Sequence, residues 1–546
     1  MPPGRLAARW SLVLGLITLP SSAQEPEFEG SRRHRLLPPT AVATGRFGLE
    51  VAARDDTAFV SASGHGASGS EARVFLYRRD EGGPDNWGSS QVLAPSAPGA
   101  VPASQLALRV HEDWLVVGAS NESWTTPAGT SATGAVHVYQ RQPDGSYAHR
   151  QRLVSPAPGP YQFGYDVDTD GSFVVVGSRN ASVDGEFRGA VHVWERTTSA
   201  TTPWAYLQTL TGAPLRSPGF GDGVAISGET LAVGHLRDGD GKVYLFERDR
   251  DSGRFVEVQR LVPAEPCPAP RCVFGFRFDL HKTELFIGHL GPPLPGVVYH
   301  YRGVGGAWSW VESRRPAASG DLLYGQTVRM APTLVIVGAH RENDDGGAAY
   351  LHYQHHPERG IGWGQVARLE SDAPRVATRF GQSVAVDRRL AVVGAPLDSR
   401  EPVGQGSAYV FDLSFSHAPR FDSTPLREAQ VGETYEHEIL ASDADGDALT
   451  LTARALPAWL TSTPGASGAG TLSATLSGTP TGSDTGPHDV ELTVSDGTRS
   501  TTQSFRIMVR AAAPLPFGLS RRFFLLTALA LVLLLAGVAV VRRRLA

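Results

Sequence analysis

A unit of about 55 residues recurs seven times between residues 34 and 412 of this chain. Each copy contains a Phe-Gly pair, an alternating apolar strand, a short polar turn, a second strand that ends in Val-Gly, and a third strand that ends in an aromatic residue. The clearest copy runs from Phe380 to Pro396 and continues into the third strand at residues 407–413. A unit of this length cannot bury its apolar face alone, so neighbouring copies must pack together.

The seven copies keep the motif to different degrees. The copies open at Phe47, Gln105-Leu106, Phe163, Phe220, Phe274, Tyr324 and Phe380, of which only the second lacks an aromatic-Gly pair. The second strands are expected to end at Ala62-Ser63, Val117-Gly118, Val176-Gly177, Val233-Gly234, Ile287-Gly288, Val337-Gly338 and Val393-Gly394. The third strands are expected to end near Tyr77, Tyr139, Trp194, Phe246, Tyr301, Tyr353 and Phe411.

A fourth, outer strand is expected after each third strand. Its mark is a leucine ten to thirteen residues before the next copy, at Leu93, Leu153, Leu210, Leu261 and Leu369. No such segment follows the seventh copy, but Leu36 lies eleven residues before Phe47, within a similar Arg-Leu-Leu sequence. We therefore expect the N-terminal strand to complete the last sheet and to close a ring without an open edge.

These motifs resemble the FG-GAP repeats of integrin α-subunit propellers and of exported bacterial proteins, over about residues 34 to 412. The resemblance implies an all-β protein with a seven-bladed β-propeller of four-stranded blades. Phe is expected to fill the core between blades, and Gly to permit close approach of two backbones. Because these are packing and turn features, the resemblance identifies a fold and does not identify a ligand.

A second module is predicted at residues 418–510, where the repeat stops and new alternating strands begin. The sequence LPAWL at Leu456–Leu460, followed by LSGTP at Leu476–Pro480, resembles dystroglycan-type cadherin-like and Ig-like domains. This resemblance implies a β-sandwich, in which Trp459 is expected to anchor the core.

Three acidic residues at alternate positions, Asp443, Asp445 and Asp447, make a candidate calcium site in this module. Ca²⁺ prefers oxygen ligands, and related cadherin-like modules hold calcium through such motifs. The alternative is an Asp-Gly turn in which the carboxylates only accept hydrogen bonds from the backbone. Ca²⁺ is the one cofactor that the sequence predicts.

Both ends of the chain carry membrane signals. Residues 1–23 have two arginines, an apolar run and a small-residue cleavage site, as a signal peptide does. After a linker at 511–522, residues 523–541 are uncharged and apolar and are followed by the Arg-rich tail at 542–546. This pattern predicts one C-terminal transmembrane helix, with the preceding residues facing the periplasm or the cell exterior. Removal of the helix by a processing enzyme is the alternative.

The net charge bears on the kind of binding partner, and the cysteines bear on the redox compartment. The net charge of −5 gives no electrostatic reason to expect nucleic acid. The only two cysteines, Cys267 and Cys272, are five residues apart and are predicted to form a disulfide in an oxidising compartment.

The loops after each Val-Gly pair vary most in length, and binding residues concentrate on such loops. Three of them begin with a histidine, and acidic or amide side chains follow in two. A shared ligand or metal pocket is one interpretation, and separate exposed histidines are the other. The candidate ligand-binding residues are His235, Asp238, Asp240, His289, His340, Asn343, Asp344 and Asp345.

A further acidic segment, Asp166 to Gly171 (DVDTDG), has a composition similar to the calcium loops of integrin blades. Those loops need several extra residues between the Phe-Gly and Val-Gly pairs, and the interval here matches the copies that have only a turn. A hairpin turn is therefore the preferred interpretation.

The sequence predicts a non-catalytic binding or adhesion protein that presents the propeller to an extracellular protein or glycan. The sialidase box, the tryptophan repeats of quinone-dependent propellers, and the G-x-S-x-G, HExxH and P-loop motifs are all absent from the sequence. Propeller active sites can gather residues from distant blades, so an enzyme acting on an extracellular polymer stays an alternative, as does a structural envelope scaffold.

Overall fold

A computed structural model of the chain describes residues 27–512 except for segments 40–44, 66–70, 84–85, 97–105, 126–128, 130, 158–160, 184, 213–217, 266–271, 292–294, 318–319, 321, 355–361, 374–376, 399, 401–404, 417, 444–445 and 469. Nearly all regular structure in these residues is β-strand, which confirms the all-β class. The chain divides into two compact units, one at Phe28–Ser414 and the other from Phe415 onward.

The described residues of the first unit form seven four-stranded sheets, each numbered after the repeat that supplies its innermost strand. Strand β1 (Glu27–Leu36) precedes sheet 1 in the chain. Sheet 1 contains β2 (Val51–Arg54), β3 (Thr57–His65), β4 (Glu71–Arg78) and β5 (Gly88–Leu93). Sheet 2 contains β6 (Ala107–His111), β7 (Trp114–Thr125), β8 (Ser131–Arg141) and β9 (Tyr147–Leu153). Sheet 3 contains β10 (Phe163–Thr169), β11 (Phe173–Ser178), β14 (Ala190–Arg196) and β15 (Trp204–Leu210), and a small hairpin of β12 (Ser182–Val183) and β13 (Glu186–Phe187) lies in its loop.

The next three sheets repeat the same order of strands. Sheet 4 contains β16 (Phe220–Ser227), β17 (Thr230–His235), β18 (Lys242–Arg248) and β19 (Phe255–Leu261). Sheet 5 contains β20 (Val273–His281), β21 (Glu284–Leu290), β22 (Val297–Val304) and β23 (Ala307–Arg314). Sheet 6 contains β24 (Val328–Ala331), β25 (Leu334–Ala339), β26 (Ala348–Gln354) and β27 (Trp363–Leu369), and the short helix α1 (Glu342–Asp345) lies in the loop between β25 and β26.

Sheet 7 takes its outer strand from the other end of the repeat region. Its strands β28 (Ser383–Asp387), β29 (Leu390–Ala395) and β30 (Ser407–Ser416) come from the last repeat. The fourth strand, next to β30, is β1. Leu36 of β1 is buried, and the Arg35 guanidinium donates to the Asp398 carboxylate at 2.9 Å. The prediction that the N-terminal strand completes the last sheet is therefore confirmed.

Each sheet contacts the next through its innermost strand. Strand β6 contacts both β2 and β10, β16 contacts β10 and β20, and β24 contacts β20 and β28. Strand β28 of sheet 7 in turn contacts β2 of sheet 1. The sheets therefore follow one another in a closed sequence of contacts, with apolar cores between neighbours.

The aromatic residue is buried in all six copies that keep it, as predicted. Phe47 is fully buried between sheets 7 and 1 and contacts the rings of Phe75 and Tyr77 edge-on. Leu106 replaces the aromatic residue in the second copy and is also buried. Burial of these side chains supplies much of the apolar surface that holds neighbouring sheets together.

The two glycines of the motif meet across the sheet boundaries. A Cβ added at the Val-Gly glycine would overlap the Phe-Gly carbonyl oxygen of the next sheet, in the pairs Gly118 with Gly164, Gly177 with Gly221, Gly288 with Gly325, Gly338 with Gly381, and Gly394 with Gly48. In sheet 1 the equivalent position is held by Ser61. The Ser61 carbonyl accepts a hydrogen bond from Gly48 N–H, just as the Gly394 carbonyl accepts one from Gly381 N–H in sheet 7. The predicted position at Ala62-Ser63 is thus wrong by two residues, since Val60-Ser61 matches Val393-Gly394.

The second unit contains a sandwich of two four-stranded sheets. One consists of β31 (Arg420–Phe421), β33 (Tyr435–Ser442), β35 (Thr461–Gly468) and β36 (Thr471–Gly478). The other consists of β32 (Glu428–Gln430), β34 (Thr450–Ala455), β37 (Gly486–Ser495) and β38 (Ser500–Arg510). Leu460 lies in the core, whereas Trp459 is only partly buried and packs edge-on against Tyr435. The prediction that Trp459 anchors the core is corrected accordingly.

Several predictions fall outside the described residues. These are the signal peptide at 1–23, the linker at 511–522 beyond Ala512, the transmembrane helix at 523–541, the tail at 542–546, Cys267 and Asp445. Within the part of the chain that the structure describes, no helix has the length and apolar character needed to cross a membrane.

Candidate functional site

The innermost strands of all seven sheets line a cavity at the end where they turn into the second strands. This cavity, named the hairpin cavity, has a volume of about 490 Å³. Its walls come from residues 51–53, 108–111, 168–170, 172, 226–228, 279–282, 329–330 and 385–386. A smaller cavity of about 220 Å³ lies at the opposite end of the same strands, beside Glu50, Tyr165 and Arg277. We name it the motif cavity, since it adjoins the Phe-Gly positions.

One position of the innermost strand carries most of the charge in the hairpin cavity. It lies opposite a residue of the second strand in every sheet, in the pairs Ala52 with Phe59, Arg109 with Val116, Asp168 with Val175, Ala225 with Ala232, Asp279 with Phe286, Arg329 with Ile336, and Ala385 with Val392. We call these seven inner residues the axial ring. It carries two arginines and two aspartates, which belong to sheets 2, 3, 5 and 6.

The aspartates of the axial ring bind the backbone of the next sheet. Asp168 Oδ2 accepts from Ile226 N–H at 2.7 Å, and Asp279 Oδ2 accepts from Met330 N–H at 2.7 Å. The other oxygen of Asp279 accepts from Leu280 N–H at 3.0 Å. These carboxylates therefore fasten neighbouring sheets together at the axis.

The arginines of the axial ring are less fully bonded. Arg109 is 8% exposed, and its Nε lies 3.3 Å from Asp168 Oδ1. Its Nη1 donates to the Leu108 carbonyl at 3.0 Å, but its buried Nη2 has no hydrogen-bond partner among the residues that the structure describes. Arg329, also 8% exposed, donates through Nη1 to the Val328 carbonyl at 2.7 Å.

Burial changes the ionisation of several of these groups. Burial raises the pKa of Asp168 to about 7, against the opposing effect of the Arg109 charge. Burial also raises the pKa of Glu50 above its usual value, although Arg277 acts to lower it. Burial, with the nearby Arg109 charge, lowers the pKa of Arg329 to about 10. At Arg109, burial acts to lower the pKa, but the nearby carboxylates of Asp166 and Asp168 outweigh it and the pKa is raised. Desolvation therefore dominates at the first three groups and not at Arg109, and the charged groups at the axis depend on one another.

The three predicted histidines lie on separate sheets and are not exposed. His235 packs edge-on against Phe220 of its own sheet, and His289 packs edge-on against Phe274. His340 is likewise buried, at the end of β25. Burial lowers the pKa of His289. Among the described residues no three His, Cys, Asp or Glu side chains are placed to hold a metal ion, so the shared metal pocket is not formed by this group.

The acidic loop candidates divide into a buried structural group and an exposed group. Asp238 accepts from Lys242 Nζ at 2.7 Å and from the Tyr244 hydroxyl at 2.6 Å. Although burial acts to raise it, these two hydrogen bonds hold the pKa of Asp238 below its usual value. Asp240, Asn343 and Asp344 are exposed, and Asp345 is half-buried. In the structure, the predicted acidic and amide residues therefore comprise one loop anchor and four residues at or near the surface.

The structural loop acids share one arrangement that the sequence did not reveal. Each binds a side chain of the third strand and, in most cases, an arginine of the outer strand. Glu342 binds the Tyr350 hydroxyl at 2.7 Å and Arg368 Nε at 3.0 Å, and Glu122 binds His137 Nε2 at 2.7 Å and Arg152 Nη2 at 2.9 Å. We call such a group a loop lock, because it fastens the loop to two strands of its own sheet.

The two acidic motifs have mainly structural contacts. In DVDTDG, Asp170 Oδ1 accepts from Ser172 and Phe173 N–H, as in a hairpin turn, while Asp166 Oδ2 accepts from Val224 N–H at 3.1 Å. In the sandwich, Asp443 Oδ1 accepts from Gly446 and Asp447 N–H at 3.1 and 3.3 Å. Calcium at Asp443, Asp445 and Asp447 stays a prediction. Cys272 is disulfide-bonded, and Cys267 lies outside the described residues.

The axial ring is the feature that sequence reasoning missed. A signal was present, since alignment of the seven innermost strands places Arg109, Asp168, Asp279 and Arg329 at one position. In an isolated strand a single charge at such a position indicates a solvent-facing side chain. Only closure of the sheets around an axis turns four such positions into one buried site.

Two known protein families match parts of this chain. Residues 363–411 match the family described as FG-GAP repeat, and residues 418–510 match the family described as Putative Ig domain. The chain therefore contains an FG-GAP repeat and an Ig-like domain. No curated protein matches the chain in sequence.

Solved structures resemble the chain only distantly. A Mycobacterium tuberculosis puromycin-hydrolyzing peptidase is 12% identical, with a TM-score of 0.39 over 72% of this chain and 59% of the peptidase. A europium-containing methanol dehydrogenase is 9% identical, with a TM-score of 0.30 over 71% of this chain and 93% of the enzyme. This chain thus spans 59% of the length of that peptidase, and similarity at these scores supports no functional argument.

Proposed function

We propose that the chain is an exported, membrane-anchored binding protein whose seven sheets are the blades of a β-propeller and whose hairpin cavity holds the ligand. The observation that carries this proposal is the cavity itself, which has walls from all seven sheets. Its volume of about 490 Å³ lies within the range of small-molecule sites. Its polar groups come from rigid strands, which favours specific recognition.

Export and anchoring rest on the sequence. The signal-peptide pattern at 1–23 and the apolar segment at 523–541 favour a chain that is translocated and then held by its C-terminus. In the sequence, the Ig-like domain at 418–510 lies between the repeat region and this apolar segment. Fractionation tests this arrangement: the full chain should stay with membranes, and a chain that ends at residue 510 should be released in soluble form.

Binding is tested with the secreted fragment 24–510 on a glycan array and in a pull-down from extracellular protein. In the variant Met330→Trp an indole would occupy part of the hairpin cavity, which Met330 lines. The variant Val304→Trp introduces the same side chain at an exposed position, 71% accessible, and serves as the control. Loss of binding in the first variant alone supports the proposal. A ligand that binds both variants equally would exclude the hairpin cavity as its site.

A second candidate function is hydrolysis of an extracellular polymer. The observation that favours it is the pKa of Asp168, which burial raises to about 7, a value suited to a general acid. The hydrogen bond from Ile226 N–H to one carboxylate oxygen and the ion pair of Arg109 with the other weigh against it, because both contacts favour the ionised form. Turnover of an array ligand that is lost in Asp168→Asn while binding is kept would favour the enzyme. Binding without turnover by the unaltered fragment would exclude it for that ligand.

A further inference from the structure

We propose that the ligand of the hairpin cavity carries an anionic group, a carboxylate, sulfate or phosphate, bound by Arg109 and Arg329. This inference rests on the proposed function, since it names the chemistry of the ligand at the same cavity. The carboxylates of the axial ring already accept bonds within the protein, whereas its guanidinium groups keep unused donors, and this difference indicates the charge of the ligand.

The acceptors of the axial ring are used within the protein. Asp279 accepts one backbone hydrogen bond on each oxygen, from Leu280 and Met330. Asp168 accepts from Ile226 N–H on one oxygen and faces Arg109 Nε with the other. A cationic ligand would have to compete with these bonds, which also connect neighbouring sheets. The cavity therefore offers few free acceptors to a positively charged group.

The donors of the axial ring are used less completely. A guanidinium carries five N–H donors, and each of the two arginines spends one nitrogen on a neighbouring backbone carbonyl. Arg109 Nη2 is buried and has no partner within the described part of the chain. A buried donor without an acceptor costs free energy, which an anionic ligand would recover. The surplus of donors therefore favours an acceptor ligand.

The position of the two arginines suits recognition of one anion. Arg109 and Arg329 hold the same position in the axial ring, and the charge of Arg109 lowers the pKa of Arg329, so the two guanidinium groups are close enough to interact. Lys282 adds a third positive charge at the exposed rim of the cavity. Planar guanidinium groups bind carboxylate, sulfate and phosphate through paired hydrogen bonds.

The test measures binding to fragment 24–510 by isothermal titration with probes of defined charge. The anionic probes are trigalacturonate, a sulfated heparin disaccharide and tripolyphosphate, which separate carboxylate, sulfate and phosphate sources. Maltotriose and spermidine are the neutral and cationic probes. We expect at least one anionic probe to bind with a Kd tighter than about 1 mM, and this affinity to fall as salt is raised.

Arg329→Gln is the test variant, because the one hydrogen bond found for Arg329 goes to a backbone carbonyl. It should weaken binding of the anionic probe by about tenfold or more. Arg277→Gln is the control, since Arg277 is a half-buried arginine that lines the motif cavity rather than the hairpin cavity. It should change the affinity by less than about threefold. If Arg329→Gln does not fold, Arg329→Lys replaces it, and its loss of paired hydrogen bonds should still weaken binding.

The possible results distinguish a failure of the anionic-ligand inference from a failure of the proposed function on which it rests. Equal loss of affinity in Arg329→Gln and Arg277→Gln would overturn the assignment to Arg329. Binding of maltotriose or spermidine, abolished by Met330→Trp, with no anionic probe bound, would overturn the anionic ligand and keep the hairpin cavity as the site. A glycan or protein ligand that is unaffected by Met330→Trp would overturn both.

Discussion

The carbonyl oxygen of Gly48 occupies the space into which a side chain at Gly394 would project. Gly394 ends the second strand of sheet 7, and Gly48 precedes the innermost strand of sheet 1, so this contact lies where the first and last repeats meet. The same contact recurs between other neighbouring sheets. The Phe-Gly and Val-Gly pairs therefore form one interlocking feature, in which each glycine makes room for its counterpart in the next sheet.

Gly394→Ala should destabilise the first unit by about 2 to 3 kcal/mol, because the added methyl group overlaps the Gly48 carbonyl and the backbones must separate. Chemical denaturation of fragment 24–510 measures this loss. Ser61→Ala is the control, since the equivalent position of sheet 1 already holds a Cβ. It removes the hydrogen bond from Glu50 N–H to Ser61 Oγ and should cost about 1 kcal/mol. Equal losses in the two variants would argue against the overlap.

Removal of β1 should leave the outer edge of sheet 7 unpaired and lower the thermal stability of the first unit. Fragment 40–510 lacks this strand, and a synthetic peptide of residues 27–39 should restore much of the lost stability by occupying the edge of β30. The control peptide carries Leu36→Asp, which places a charge at a position 3% exposed. The prediction fails if fragment 40–510 unfolds at the same temperature as fragment 24–510.

The stability of the Asp168→Asn variant, relative to that of the unaltered protein, should increase as pH rises. Burial raises the pKa of Asp168 from 3.8 to about 7, so ionisation is harder in the folded state than in the unfolded state. The resulting cost is absent below the unfolded pKa, grows with pH, and is complete above about 7. The free energy of unfolding of the variant minus that of the unaltered protein should increase by about 1 to 2 kcal/mol across this window. Denaturation curves at several pH values measure it, and a constant difference would contradict the prediction.

Glu342→Gln should destabilise the first unit by about 2 kcal/mol, because the loop lock of sheet 6 loses its charged bonds to Arg368. Asp344→Asn removes the same charge two residues away, at an exposed position, and should change stability by less than about 0.5 kcal/mol. Thermal or chemical denaturation compares the two variants. Similar losses of stability in both variants would show that removal of a negative charge from this segment, rather than disruption of the loop lock, determines the effect.

The repeat determined how much of the fold the sequence could predict. The outer-strand leucines, the buried aromatic residues and the N-terminal strand beside β30 follow from local patterns that each copy repeats. Such patterns report burial within a sheet and between neighbouring sheets. They were misread only where a copy departs from the motif, as at Ser61, where serine replaces the expected glycine.

The candidate site was harder to predict, because a histidine after Val-Gly has the same sequence context whether it is exposed or packed. His289 packs between Phe274 and Tyr299, and these rings are separated from it in the sequence by the length of a strand or more. Asp238 likewise has the sequence context of a loop residue that is free to bind a ligand, but in the structure it accepts a hydrogen bond from the Tyr244 hydroxyl. Distances across the axis, which bring Arg109 near Arg329, depend on ring closure and have no counterpart in any single repeat.

The position of β1 has a consequence for the order in which the protein matures. Strand β1 is synthesised early and pairs with residues 407–416, which are synthesised almost four hundred residues later. Throughout that interval the early segment has no place in any completed sheet. Sheet 7 can reach its final form only after nearly the whole repeat region has emerged, so protection of the early segment during synthesis becomes part of making the protein.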